Sequence, residues 1–345
     1  MQSSFQLPTI DIGPYLDPTQ SSSLERAAVS KALHDACVKY GFFYLNISKY
    51  VDPSEPEELT RLAREFFFLP HEEKDKISIR NQDHARGYQR LQENVTNGKA
   101  DNHEGIDFYR PVENPDKSKT LWGENQWPSV PGAFQQKYEQ WIERMKILGM
   151  AVMEAMAGGL GLNEDEWKEL RAQVDDSFWV LRIIGYPPLP TDYDGFSCGA
   201  HKDYGCLTLL YADPTRSALQ VFLRKSGVSV AEDDGLPNEQ GDEEGVWINA
   251  DPIPGCIVCN IGQMCEIWTN GLYKSTLHRV IHRGSNYRTS IPFFFEPNFD
   301  ANVKPLATVL ARTGNTASYE PVIYGDFLLG NVENNFTQDG TRGRY

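Results

Sequence analysis

At 345 residues, with 40% hydrophobic and 23% charged side chains, the chain is long enough to bury a sizeable core and has an ordinary globular composition. Its net charge of −15 argues against binding a phosphate backbone, which needs clustered lysine and arginine. Six cysteines are too sparse for a disulfide scaffold. No apolar run long enough for a membrane span stands out and the N-terminus lacks the apolar centre of a secretion signal, so a cytoplasmic protein without nucleic-acid or membrane partners is expected, its oligomeric state open.

In chain order, Ser23 to Tyr40 repeats apolar residues at helical spacing and stops at Gly41, after which Phe42 to Asn46 reads as a strand. A second helix is expected from Glu57 to Leu69, ended by Pro70, with His71-Glu72-Glu73 opening a solvated helical start. His34 falls in an amphipathic helix, while His84 and His103 lie in polar sequence without a partner at ligand spacing. From Ala133 to Met156 one stripe carries Phe134, Tyr138, Trp141, Met145, Leu148 and Val152, long enough to brace a sheet. From residue 178 the pattern changes to short strands with turn signals, which fits a barrel or sandwich. Ala231 to Gly245 holds seven acids and no base and interrupts a hairpin expected between Phe222 and Trp247; it reads as a solvated surface insertion. Cys256 and Cys259 would face opposite sides of a strand and read as buried small hydrophobes. A short helix from Pro321 to Leu329 and a polar tail close the chain.

The chemistry lies in His201-Lys-Asp203. Residues i and i+2 of a strand point to one side of a sheet, so the imidazole and the carboxylate can converge on one ion. A third ligand from another strand would complete the two-histidine, one-carboxylate set that holds non-haem Fe(II) and leaves positions open for oxygen chemistry. Ser275 to His282 alternates as a strand, and on that alternation His278 and His282 share a face, so periodicity does not choose between them. Arg288 opens Arg288-Thr-Ser-Ile-Pro-Phe-Phe-Phe295, otherwise a core strand. An unpaired guanidinium there would be costly; either a bound carboxylate, with Ser290 adding a hydrogen bond from the same face, or an internal ion pair would satisfy it.

Residues from about 178 to 298 resemble the catalytic core of the Fe(II)/2-oxoglutarate-dependent dioxygenases. The resemblance is carried by Leu181-Arg-Ile-Ile-Gly-Tyr186, Gly199-Ala-His-Lys-Asp203, Leu219-Gln-Val221, Trp268 to Val280 and Arg288 to Asn298. Leu7-Pro-Thr-Ile-Asp-Ile12, Gly41-Phe-Phe-Tyr-Leu45 and the helix ending at Pro70 are similar to the region before the core in plant and fungal members, isopenicillin N synthase relatives included. The resemblance implies a mainly β fold with flanking α, a distorted double-stranded β-helix (jelly-roll) barrel with external helices. It implies an N-terminal α/β region at 1–125, a bracing helix region at 126–175, the core at 176–300 and a C-terminal helix and tail at 301–345, the first forming one compact unit with the core.

Carried over residue by residue, it makes His201, Asp203 and His278 the iron ligands, leaves out His282, and makes Arg288, Ser290 and Tyr186 hold 2-oxoglutarate. Fe(II), 2-oxoglutarate and dioxygen are then the reagents, and a small molecule is hydroxylated, desaturated or closed into a ring, with succinate and carbon dioxide as coproducts. Tyr88, Tyr204 and Phe295 are expected to border the substrate pocket. Two departures, Asn260-Ile-Gly-Gln263 after the penultimate strand and Ile184 in place of an asparagine, bear on loop geometry and substrate. The segment from Arg86 to Asp101 also resembles ethylene-forming enzymes, except that Asn94 stands where an acid for a guanidinium is expected. Ethylene formation, a cosubstrate-free oxidase of the isopenicillin N synthase type and a non-catalytic binding protein are the competing readings.

Overall fold

The computed structural model describes residues 6–335, except 97, 194 and 225–244. The strands of its two main sheets are β1 (Thr9–Asp11), β2 (Phe42–Asn46), β3 (Gly87–Gln89), β4 (Glu104–Tyr109), β5 (Val180–Tyr186), β6 (Cys198–His201), β7 (Leu207–Ala212), β8 (Leu219–Arg224), β9 (Gly245–Asn249), β10 (Cys256–Ile261), β11 (His278–Val280) and β12 (Arg288–Phe295). Eight form one sheet in the order β1-β2-β10-β7-β12-β5-β4-β3, and four form the other in the order β9-β8-β11-β6. Among these strands only β1 and β2 pair parallel.

The period of two in a strand decides what each face of the large sheet meets. On one face Phe43, Leu45, Leu181, Ile183, Ile257, Cys259, Ile291 and Phe293 enter the main core with the helices α1 (Ser23–Lys39), α2 (Ser54–Phe67) and α3 (Phe134–Leu160). On the other, Phe42, Tyr44, Ile184, Tyr186 and Val258 meet Leu219, Val221, Ile248 and Val280 of the small sheet in a second apolar cluster. This is the expected jelly roll with external helices. Strands β1 to β4, from the first 125 residues, are hydrogen-bonded into the same sheet as the core strands.

Local chemistry sets the helix ends. The Ser22 hydroxyl accepts from the Glu25 amide and the Glu25 carboxylate accepts from the Ser22 amide, a reciprocal cap for α1. Helix α2 starts at Ser54, before the expected Glu57, because Pro56 sits in its first turn, where a missing N–H costs nothing. Helix α3 runs past Met156 to Leu160 and stops at Gly161, whose φ of 67° is left-handed. The last described helix, α4 (Tyr324–Asn335), begins later than Pro321 because Val322–Ile323 pairs with Asn302–Val303. Phe222 faces Trp247 across the β8–β9 hairpin; the acidic stretch of 231–244 that the hairpin carries lies outside the described residues. All six cysteines are free, with Cys259 buried and Cys256 half-buried. Among the described residues no helix is long and apolar enough to cross a membrane.

Candidate metal centre and adjoining cavity

His201 ends β6 and His278 opens β11, and the two residues are direct partners in the antiparallel pair. Asp203 lies just past β6, and its Oδ1 is 3.6 Å from Nε2 of each histidine. The far side of each group is held. Nδ1 of His201 lies 2.8 Å from the Gly199 carbonyl and Nδ1 of His278 lies 3.2 Å from that of Thr276. An Nδ1–H donating to a carbonyl leaves the lone pair on Nε2, the atom turned to the common point. Asp203 Oδ2 accepts from Asn260 Nδ2 at 2.6 Å and from the Thr208 hydroxyl, so Oδ1 is left for an ion. Burial pushes the Asp203 carboxyl up, but the two imidazoles and these hydrogen bonds outweigh it and hold it below the usual carboxylate range. Burial, then the neighbouring His201, lowers His278 to about 4, which keeps it neutral and able to ligate. The donor set fits a divalent transition metal with open positions.

His282 is not part of this group. Strand β11 ends at Val280 and its register is irregular between His278 and Val280, so the alternation does not carry on to residue 282. Instead His282 Nε2 bonds the Asn286 carbonyl at 2.7 Å.

Arg288, 2% exposed, stacks over the Tyr186 ring at 4.8 Å, and its Nε and Nη1 have no hydrogen-bond partner. Ser290, two residues along the same face, sits close enough to the Tyr186 phenol to lower its pKa against the rise that burial causes. The internal acid that could have paired with Arg288 is absent among the described residues. A buried guanidinium with two bare nitrogens fits a carboxylate ligand.

A cavity of about 390 Å³ opens over His201 and Asp203, with Tyr204, Arg182, Phe294 and Glu296 in its wall and Leu328 of α4 across it. Tyr204 borders it as expected; Phe295 and Tyr88 do not. Phe295 points the other way, into the core, where a Cβ added to Gly149 of α3 would stand 2.4 Å from its ring, and Phe294 takes the place in the wall. Tyr88 is 1% exposed, packs on Phe66 and donates to Glu104 at 2.5 Å.

Asp101, His103 and Cys198 also come within 4.8 Å of one another, but both Asp101 oxygens already accept, from Gly199 N at 2.8 Å and from Asn94 and Thr96. That carboxylate ties the short Val95–Thr96 strand to β6. Arg182, Asp107, Glu296 and Asn260 are site residues that sequence reading passed over. For the first two the period of β4 and β5 was the available signal; Asn260, read as a departure in a loop, is the inward-facing residue of β10 that holds Asp203.

Comparison with known proteins gives a consistent result. Residues 7–130 match the family model described as non-haem dioxygenase in morphine synthesis N-terminal, and residues 176–297 match the 2OG-Fe(II) oxygenase superfamily. A homoarginine-6-hydroxylase of Oryza sativa subsp. japonica is 40% identical over 97% of this chain and 99% of its own length. One from Glycine max is 39% identical over 96% and 97%. Among solved structures, a full-length Neurospora crassa protein in complex with alpha-KG superposes with a TM-score of 0.76 at 25% identity, covering 96% of this chain and 97% of that one.

Proposed function

We propose, since the chain belongs to the 2OG-Fe(II) oxygenase superfamily and is an enzyme using Fe(II), 2-oxoglutarate and dioxygen, that it hydroxylates a small guanidino amino acid of the homoarginine type. In this reading His201, Asp203 and His278 hold the iron, and Arg288, with Ser290 and Tyr186, holds the far carboxylate of 2-oxoglutarate. The observation that carries it is the Arg288 guanidinium, buried with two nitrogens that lack a partner. In this reading the far carboxylate of 2-oxoglutarate meets Arg288 and its other end is the one offered to the metal.

Bound iron supplies oxygen activation coupled to decarboxylation of 2-oxoglutarate, with succinate and carbon dioxide as coproducts. The chain's own part is position and exclusion of water. The Gly199 and Thr276 carbonyls fix both imidazole tautomers, and Asn260 with Thr208 turns Asp203 Oδ1 to the metal. Phe294, Val180 and Leu328 dry the cavity wall. The substrate class is supported by relatives named for homoarginine hydroxylation that match nearly end to end, and by a cavity with carboxylates in its wall.

Anaerobic titration with Fe(II) and 2-oxoglutarate should give the visible charge-transfer band of the chelate, and homoarginine should then drive succinate release in air. Absence of the band would remove the cosubstrate assignment. Succinate release with other amino acids but not homoarginine would remove the substrate. Ethylene in the headspace, or product formed without 2-oxoglutarate, would favour the ethylene-forming or oxidase reading instead.

A further inference from the structure

We propose that Glu296 is the specificity-determining residue that receives the cationic end of the substrate. This deepens the reading of the cavity as the substrate site and names the group that reads charge there.

Among the described residues three carboxylates line the cavity: Asp107, Asp203 and Glu296. Two are committed. Asp107 Oδ1 accepts from Arg182 Nε at 2.7 Å and its Oδ2 from Gln89 Nε2 at 3.2 Å, while Asp203 faces the two histidines. Asn94, also in the wall, is uncharged and donates its amide to Asp101. That leaves Glu296, which is 4% exposed and, among the described residues, has no cation against it. Its Oε2 accepts from the Cys206 amide at 3.2 Å. The turn is shaped around it, since a Cβ on Gly205 would stand 1.2 Å from that oxygen.

A glutamine would satisfy the Cys206 amide equally well, so the backbone contact does not account for an ionisable group in a buried place. Burial, with the Asp203 carboxylate adding to it, raises its pKa to about 8 even though the Tyr324 phenol and the Cys206 amide favour the charged form. An incoming guanidinium supplies a counter-ion. The location also suits the chemistry: C6 of homoarginine carries the guanidino nitrogen, so a substrate presenting that carbon to the metal brings its cation to the metal end of the cavity. Glu296 lies near enough to Asp203 to feel its charge.

The test measures anaerobic binding of homoarginine and of homocitrulline, its neutral urea isostere, to protein loaded with Fe(II) and 2-oxoglutarate. Wild type should prefer homoarginine by about 30-fold or more, as for a buried charge pair. Glu296→Gln should lose most of that preference with unchanged 2-oxoglutarate affinity, and Glu296→Asp should weaken homoarginine alone. Melting temperatures report whether each variant is folded; should the glutamine variant unfold, the aspartate variant and the wild-type preference decide. Equal affinity of wild type for the two ligands, or an unchanged preference in the folded variants, overturns the assignment. Charge-dependent binding without homoarginine-driven succinate release would sink the substrate while leaving Glu296 in place; succinate release with an unchanged preference would do the reverse.

Discussion

Asp203 offers only one oxygen to an ion because the other is already taken, and that division sets what each neighbouring side chain is worth. Removing a proposed ligand, as in Asp203→Ala or His201→Ala, should abolish turnover and most Fe(II) binding, measured by metal content after gel filtration. Asn260→Ala keeps all three ligands but frees Oδ2 to swing, and should weaken iron binding about 10- to 100-fold, the usual cost of losing such a supporting contact. His282→Ala should keep its iron, since that ring bonds a carbonyl elsewhere; metal loss there would mean the distal ligand is misassigned. Arg288→Ala should raise the KM for 2-oxoglutarate about 10- to 100-fold, as for hydrogen bonds to a charged group, with iron affinity unmoved. At this scale the sequence was legible where chemistry is written in spacing. His201 and Asp203 are brought together as their spacing suggested, although the strand ends at His201, and Arg288 stood out by its charge in an apolar strand. Glu296 was not legible, because a single acid after a strand end has no period, and its meaning depends on an absent counter-ion that only three dimensions reveal.

Helices and strands here are set by how closely they approach. Glycine in mid-helix costs about 1 kcal/mol relative to alanine, yet Gly149 stands in the middle of α3. Its reason is Phe295: a Cβ would meet the ring at 2.4 Å, so the missing side chain lets the helix lie against β12. Gly149→Ala should therefore destabilise the protein by about 1–3 kcal/mol in chemical denaturation, against its helix propensity. A gain in stability would show that the contact relaxes freely. The same strand explains why Phe295 was taken for a pocket residue. Phe293, Phe294 and Phe295 are all apolar, so the sequence carries no phase to tell inward from outward, and the pairing partners decide it. His278 and His282 failed to separate for a related reason, since a three-residue strand ends before its alternation can be extrapolated. The long helices, by contrast, were plain from periodicity, with ends moved by Pro56, Gly161 and the Val322–Ile323 strand, whereas the short helices Glu164–Arg171 and Gln263–Trp268 were not anticipated.

Over the whole molecule, one buried acid links cavity and stability. In the metal-free protein the Glu296 carboxyl titrates near 8 when folded and near 4.5 when unfolded. Its contribution is fully present below 4.5 and is lost as pH rises through about 8, because across that window the unfolded chain gives up a proton that the folded chain keeps. The loss is at most about 1.4 kcal/mol per pH unit. Urea unfolding of wild type and Glu296→Gln should show the variant gaining on wild type as pH climbs through the window; a constant difference would mean that the carboxyl is not held protonated. The jelly roll and its helices were foreseeable as a class, whereas the part that α4 takes in lining the cavity was not, since it depends on where a late helix returns.

The two-sided use of the large sheet has an evolutionary consequence. Along β5 and β12, alternate positions belong either to the structural interior or to the reaction chamber, so neighbours in sequence answer to different selective pressures. A lineage could exchange Arg182 or Phe294 and acquire a new preference while Leu181 and Phe293 went on holding the barrel together. Diversification on this scaffold would then advance in steps of two along the chain.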